Sequence, residues 1–177
     1  WELGVLGEYW DSYEKAAVEN ALNAFSNVAN IQFVKHNSKV ANLNTYDSII
    51  SNNNSNINWI LNNDSADNAY LGEAYPPYPD FSLSGVIQIN SSMYESSEDL
   101  EPGSYYFLTY THELGHALGL KHPHEYGIPI PVDSSTTTSF SSPFPGADPD
   151  DYRNGGSNGL NASPWTVMTY NDMGANI

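Results

Sequence analysis

His112, Glu113, His116 and His122 set the chemistry this chain could perform. Residues four apart on a helix share a face, one turn above the other. His112 and His116 therefore aim two imidazole rings at a common point, where a metal ion would sit. Glu113 lies roughly 100° around the helix from His112. From there its carboxylate reaches a water at the metal without becoming a ligand. Gly119 marks the helix end, because glycine takes the left-handed conformation past a helix terminus without a Cβ penalty. The chain then turns and offers His122 as a third ligand. Three protein ligands leave zinc an open position, which distinguishes a catalytic from a structural site. A structural site has no use for Glu113 and usually recruits cysteine, a residue absent from this chain. The pattern is that of a metallohydrolase. His124 would close the open position if it bound as well, so it reads as a solvent-facing loop residue.

The same residues carry a family resemblance. His112 to His122 match H-E-x-x-H-x-x-G-x-x-H, and Ser163-Pro164-Trp165-Thr166-Val167-Met168-Thr169-Tyr170 resembles the Met-turn that follows this motif in metzincins. Pro123 directly after the third histidine, and Tyr170 two places after Met168, resemble serralysins rather than matrixins, astacins or adamalysins. Ser84 to Asn90 and Gly103-Ser104 are similar to the strand and helix entry of that family. The resemblance implies an α+β fold of metzincin type: a twisted mixed sheet, two main helices above the cleft and an irregular lower subdomain. It implies Met168 as a hydrophobic floor beneath the metal. It also implies Tyr170 as a resting-state zinc ligand that swings away to donate a hydrogen bond to the reacting oxyanion. Val86, Ile87, Gln88 and Ile89 are expected to form the edge strand that pairs with substrate. The chain starts at Trp1 and stops seven residues after Tyr170, with no signal peptide and no glycine- and aspartate-rich calcium repeat. It is therefore expected to be a processed catalytic piece, with a separate C-terminal segment or an inhibitor as a partner.

Composition bounds the remaining choices. At 177 residues and 40% hydrophobic, the chain can build one domain with a real core. The expected division is a single domain, 1–177, with an upper subdomain at 1–119 and a lower one at 120–177. Five Lys and Arg against 21 Asp and Glu give a net charge of -16, the wrong sign for a nucleic-acid phosphate partner. No apolar run reaches the length of a membrane span, so no membrane partner is expected. Acidity and the absence of Cys suit a secreted, extracellular bacterial protein that relies on its core and on metals.

Other segments must position the site. Glu2 to Leu6 reads as an opening strand. Asp11 and Glu14 make a capping box. Behind it Tyr13, Ala17, Ala21, Ala24, Phe25 and Val28 recur at helical spacing, with Glu14, Lys15, Glu19, Asn20 and Asn23 on the opposite face. Ile31 to His36 alternates as a strand, with His36 exposed at its end. Ser51 to Asn56 and Asn62 to Asn68 read as polar loops, Ile57 to Leu61 as a strand, and Ala69 to Tyr75 as extended chain leading to the Pro76-Pro77-Tyr78-Pro79 rim. The active-site helix starts at Gly103 or Ser104 and is anchored by Phe107, Leu108, Leu114, Ala117 and Leu118. Asp148, Asp150 and Asp151 beside Asn154 and Gly155 could hold calcium, although the spacing misses the EF-hand pattern and a solvated acidic loop fits better.

Together these readings give a secreted zinc endopeptidase that hydrolyses extended protein or peptide substrates through a zinc-activated water, with Glu113 as general base. The alternatives are a catalytically inactive metzincin-like binding or inhibitory module, and a metal-dependent hydrolase of something other than peptides.

Overall fold

Trp59, Ile60 and Leu61, like Val86, Ile87 and Ile89, form nearly continuous apolar runs, the pattern of parallel strands covered on both faces. In the computed structural model both runs are strands whose apolar residues are all buried. The structure describes residues 1–6, 10–36, 55–62, 70–78, 82–125 and 144–171. These divide into two units, Trp1–Gly119 and Leu120–Ile177.

The first unit carries β1 (Glu2–Leu6), α1 (Ser12–Ser26), β2 (Asn58–Asn62), β3 (Gly72–Ala74), β4 (Val86–Asn90) and α2 (Tyr105–Ala117). The sheet order is β1-β2-β4-β3. β1, β2 and β4 run parallel, with Trp59 opposite Ile87 and Leu61 opposite Ile89. β3 is antiparallel to β4, with Gly72 opposite Ile89, Glu73 opposite Gln88 and Ala74 opposite Ile87. Val86 to Ile89 are therefore not the edge expected from the sequence. The short strand Gly72–Ala74 covers them and is itself the border among the described residues. A three-residue edge strand with glycine and a charge has no apolar run to announce it.

Both helices pack on one face of the sheet. Ala17, Val18, Ala21 and Leu22 of α1 and Phe107, Tyr110, Leu114 and Ala117 of α2 share a core with Trp59, Leu61, Ile87 and Ile89. Each large apolar side chain buried there contributes roughly 1.5–3 kcal/mol. The Tyr110 ring stacks on Trp59 at 5.9 Å between centroids, pinning α2 to the sheet two residues before His112. Ser104 caps α2, its Oγ accepting the Phe107 N–H at 3.2 Å. Leu108, expected as an anchor, is instead exposed, because the buried stripe passes through Tyr110 and Thr111.

On α1 the capping box forms as expected, with the Asp11 N–H donating to Glu14 Oε2 at 2.6 Å. The face assignment differs. Glu14 is buried, whereas Ala24 is exposed and Val28 is 84% exposed; Val18 and Leu22 take the buried positions. Glu14 tolerates burial because its other oxygen accepts the Tyr94 hydroxyl at 2.7 Å, and Tyr94 in turn meets the Tyr110 hydroxyl at 3.1 Å. Burial pushes the Tyr94 hydroxyl pKa far up, so it remains a donor.

Ile31 to His36 do not join the sheet. The Trp1 nitrogen donates to Val34 O and the His36 N–H to Trp1 O, and two bonds to a single residue make no ladder. Most of the two expected polar loops, together with Pro79, lies outside the described residues. The second unit contains turns and one isolated bridge, Asp148 to Asp151, with neither helix nor strand among its described residues.

Removing the buried carboxylate should be costly. Glu14→Ala strands the Tyr94 hydroxyl and the helix cap, and is expected to lower stability by roughly 1–3 kcal/mol. Urea denaturation measures this, and zinc stoichiometry of the folded variant should not change.

Candidate metal centre

The helix α2 places His112 and His116 one turn apart, and their Nε2 atoms approach to 3.1 Å. The rings meet edge to face, with centroids 4.8 Å apart. Two imidazole nitrogens this close, with His112 buried, converge on one point as metal ligands do. The helix then stops where the sequence required. Gly119 has φ +94 and its N–H donates to His116 O at 2.9 Å, a left-handed residue closing the last turn.

Glu113 sits between the helix and the edge strand. It is buried, and a Cβ added to Gly72 would lie 2.8 Å from Glu113 Cγ. Glycine in β3 is thus what lets the carboxylate stem lie against the strand backbone. Burial pushes the Glu113 pKa up from 4.5 to about 8, and the nearby Glu73 carboxylate adds to the shift. A carboxyl poised in this range can both take and return a proton near neutral pH.

In the second unit His122 is also buried. Its Nδ1 lies 2.9 Å from Glu125 Oε1, while its backbone N–H donates to Glu125 Oε2 at 3.1 Å. The carboxylate thus holds the turn at His122 through its backbone and lies against the ring edge. Glu125 was not singled out from the sequence, although a carboxylate three residues from a ligand histidine was a signal available there. Tyr170 packs on the same imidazole, with ring centroids 4.3 Å apart, and is 55% exposed. His124 is not solvent-facing as expected. It is buried and stacked on His122 at 5.2 Å with a 16° tilt, because the Pro123 turn folds the two rings together.

Met168 is buried. The loop that bears it is organised by Asn161, which is fully buried and was missed in the sequence. Its Nδ2 donates to Tyr152 O and Asn154 O, and its Oδ1 accepts the Thr169 hydroxyl at 2.6 Å. Asn171 adds bonds to Tyr152 O and Asn161 O. In the acidic loop, Asp148, Asp151 and Asn154 use side-chain oxygens to accept the N–H groups of Asp150, Arg153 and Gly156. These oxygens serve the turns of their own loop.

By residue type and number, His112, His116 and His122 suit one metal ion. Three histidine nitrogen donors are a zinc set rather than a calcium set. The family model described as Matrixin, a peptidase family, matches residues 8–136, which include all three histidines and Glu113. The chain belongs to the matrixin family. The family implies zinc, and the α+β architecture with two helices on a small mixed sheet is that of a metzincin-type domain. The chain is also similar to a serralysin from Photorhabdus luminescens, 32% identical over 114 residues. That match covers 64% of this chain and 20% of the relative's length.

Two outcomes follow. In the metal-free protein Glu113 binds its proton more tightly when folded than when unfolded, so stability should fall as pH rises from 4.5 to about 8. Thermal melts after chelation should show Glu113→Gln with a shallower pH slope and a higher melting temperature at the alkaline end. Asn161→Ala leaves two backbone carbonyls without their donor and should cost roughly 1–3 kcal/mol, read by chemical denaturation.

Proposed function

We propose that this chain is a zinc endopeptidase, secreted and serralysin-like, that hydrolyses extended segments of protein substrates. The observation carrying this reading is the pair of Nε2 atoms 3.1 Å apart with a buried glutamate at the next position. His112, His116 and His122 would hold the metal. When bound, zinc supplies a Lewis acid that lowers the pKa of a water and polarises a carbonyl.

The chain's own residues do the rest. Glu113 takes a proton from the attacking water and returns it to the leaving amine. Glu125, whose Oε1 lies 2.9 Å from His122 Nδ1, would steady that ring. In this reading Tyr170, whose ring packs on His122, donates a hydrogen bond to the developing oxyanion; losing one such donor typically lowers the rate on the order of 100-fold or more. Substrate adds to the sheet at Gly72–Ala74, the border strand, rather than at Val86–Ile89.

Glu113→Gln should keep zinc at one equivalent and lose most peptidase activity, whereas His116→Ala should lose the metal as well. Metal analysis beside casein digestion, with and without a chelator, measures both. Near-parental turnover by Glu113→Gln would remove the base assignment.

A further inference from the structure

The border strand has a defined inner and outer face. A Cβ on Gly72 would collide with Glu113, so Gly72 faces α2. Glu73 therefore stands on the opposite face, exposed, beside its cross-strand partner Gln88. The Asn90 N–H donates to Leu71 O at 3.0 Å and the Tyr75 N–H to Val86 O at 2.9 Å, so Leu71 and Tyr75 turn their backbone groups toward β4. By the alternation of an antiparallel ladder, Gly72 and Ala74 turn theirs away, toward a side that pairs with no strand among the described residues. A peptide adding there bonds to Gly72 and Ala74. Its intervening residue falls directly opposite Glu73 on the same face, with Cβ atoms about 4.5–5.5 Å apart.

That face already holds an unsatisfied acceptor. A cavity of about 50 Å³ is lined by Asn62, Tyr70, Gly72, Glu73, Gln88 and Asn90. Gln88 Oε1 is buried and accepts no hydrogen bond among the described residues. The Glu73 carboxylate lies near enough to the Tyr75 hydroxyl to add to the upward shift that burial gives its pKa. An ammonium or guanidinium group brings donors that match both oxygens and a charge opposite to the carboxylate; a neutral or acidic tip brings neither.

We propose that Glu73 and Gln88 form a specificity subsite that selects lysine or arginine at the peptide position paired with Glu73, an inference that rests on the peptidase reading above. The test uses peptides that differ at one position at a time, bearing Lys, Arg, Gln or Glu within four residues of the cut bond. At one position the basic residues should exceed Gln by about two- to five-fold in kcat/KM, with Glu lower still. Glu73→Lys should reverse that order there and nowhere else, and Gln88→Leu should narrow it. Labelled peptides titrated onto zinc-loaded Glu113→Gln should rank in the same order by Kd, without turnover. A flat parental profile, or an order unchanged in Glu73→Lys, overturns the subsite. If nothing is cleaved while binding still ranks Lys above Glu, the subsite stands and the peptidase reading falls.

Discussion

One turn of α-helix governs this molecule. Two imidazoles can meet at 3.1 Å only if the backbone beneath them is rigid, and most of the first unit supplies that rigidity. Tyr110 stacks on Trp59, Leu114 is buried in the sheet-facing core, Ser104 caps the helix start and Gly119 ends it. His112 is buried and its ring meets that of His116 edge to face, so the pair is already close before any ion arrives. Preorganisation of that kind reduces the ordering cost of binding a metal.

Polar groups inside the molecule follow the same logic of mutual support. Glu14 is buried only because Tyr94 and the Asp11 N–H satisfy it, and that trio ties α1 through Tyr110 to the helix bearing the histidines. In the second unit, which lacks a sheet or helix among its described residues, Asn161 does what a ladder would do elsewhere. A single amide holds carbonyls of Tyr152 and Asn154 and the hydroxyl of Thr169. Such side-chain-to-backbone bonding is how an irregular loop meets the requirement that buried backbone groups find partners.

Chemistry-bearing residues were legible in the sequence because their spacing maps directly onto helical geometry: His112, Glu113, His116 and Gly119 needed no tertiary information. The strands around Trp59 and Ile87 were legible for the same reason, as apolar runs. What escaped depended on partners far away in the chain. Glu14 looked like a solvent residue because its satisfying hydroxyl lies 80 residues on. His124 looked exposed because the stacking of two rings across Pro123 is a matter of turn geometry. The border strand was misplaced because three residues with no apolar signature took the outer position, displacing the stronger pattern of Val86–Ile89 inward. Local periodicity identifies elements; their order in a sheet is settled by pairings it does not encode.

Gly72 has a wider meaning for how such a molecule can change. Its missing side chain leaves the strand backbone and the carboxylate stem of Glu113 in direct contact, with no cushion between them. Drift of that strand is therefore transmitted to the acid, and the inner face tolerates almost no variation. The outer face, one residue along, carries no such constraint. Variation at that outer position reaches Glu113 through charge and not through contact, since the Glu73 carboxylate adds to the upward shift of its pKa.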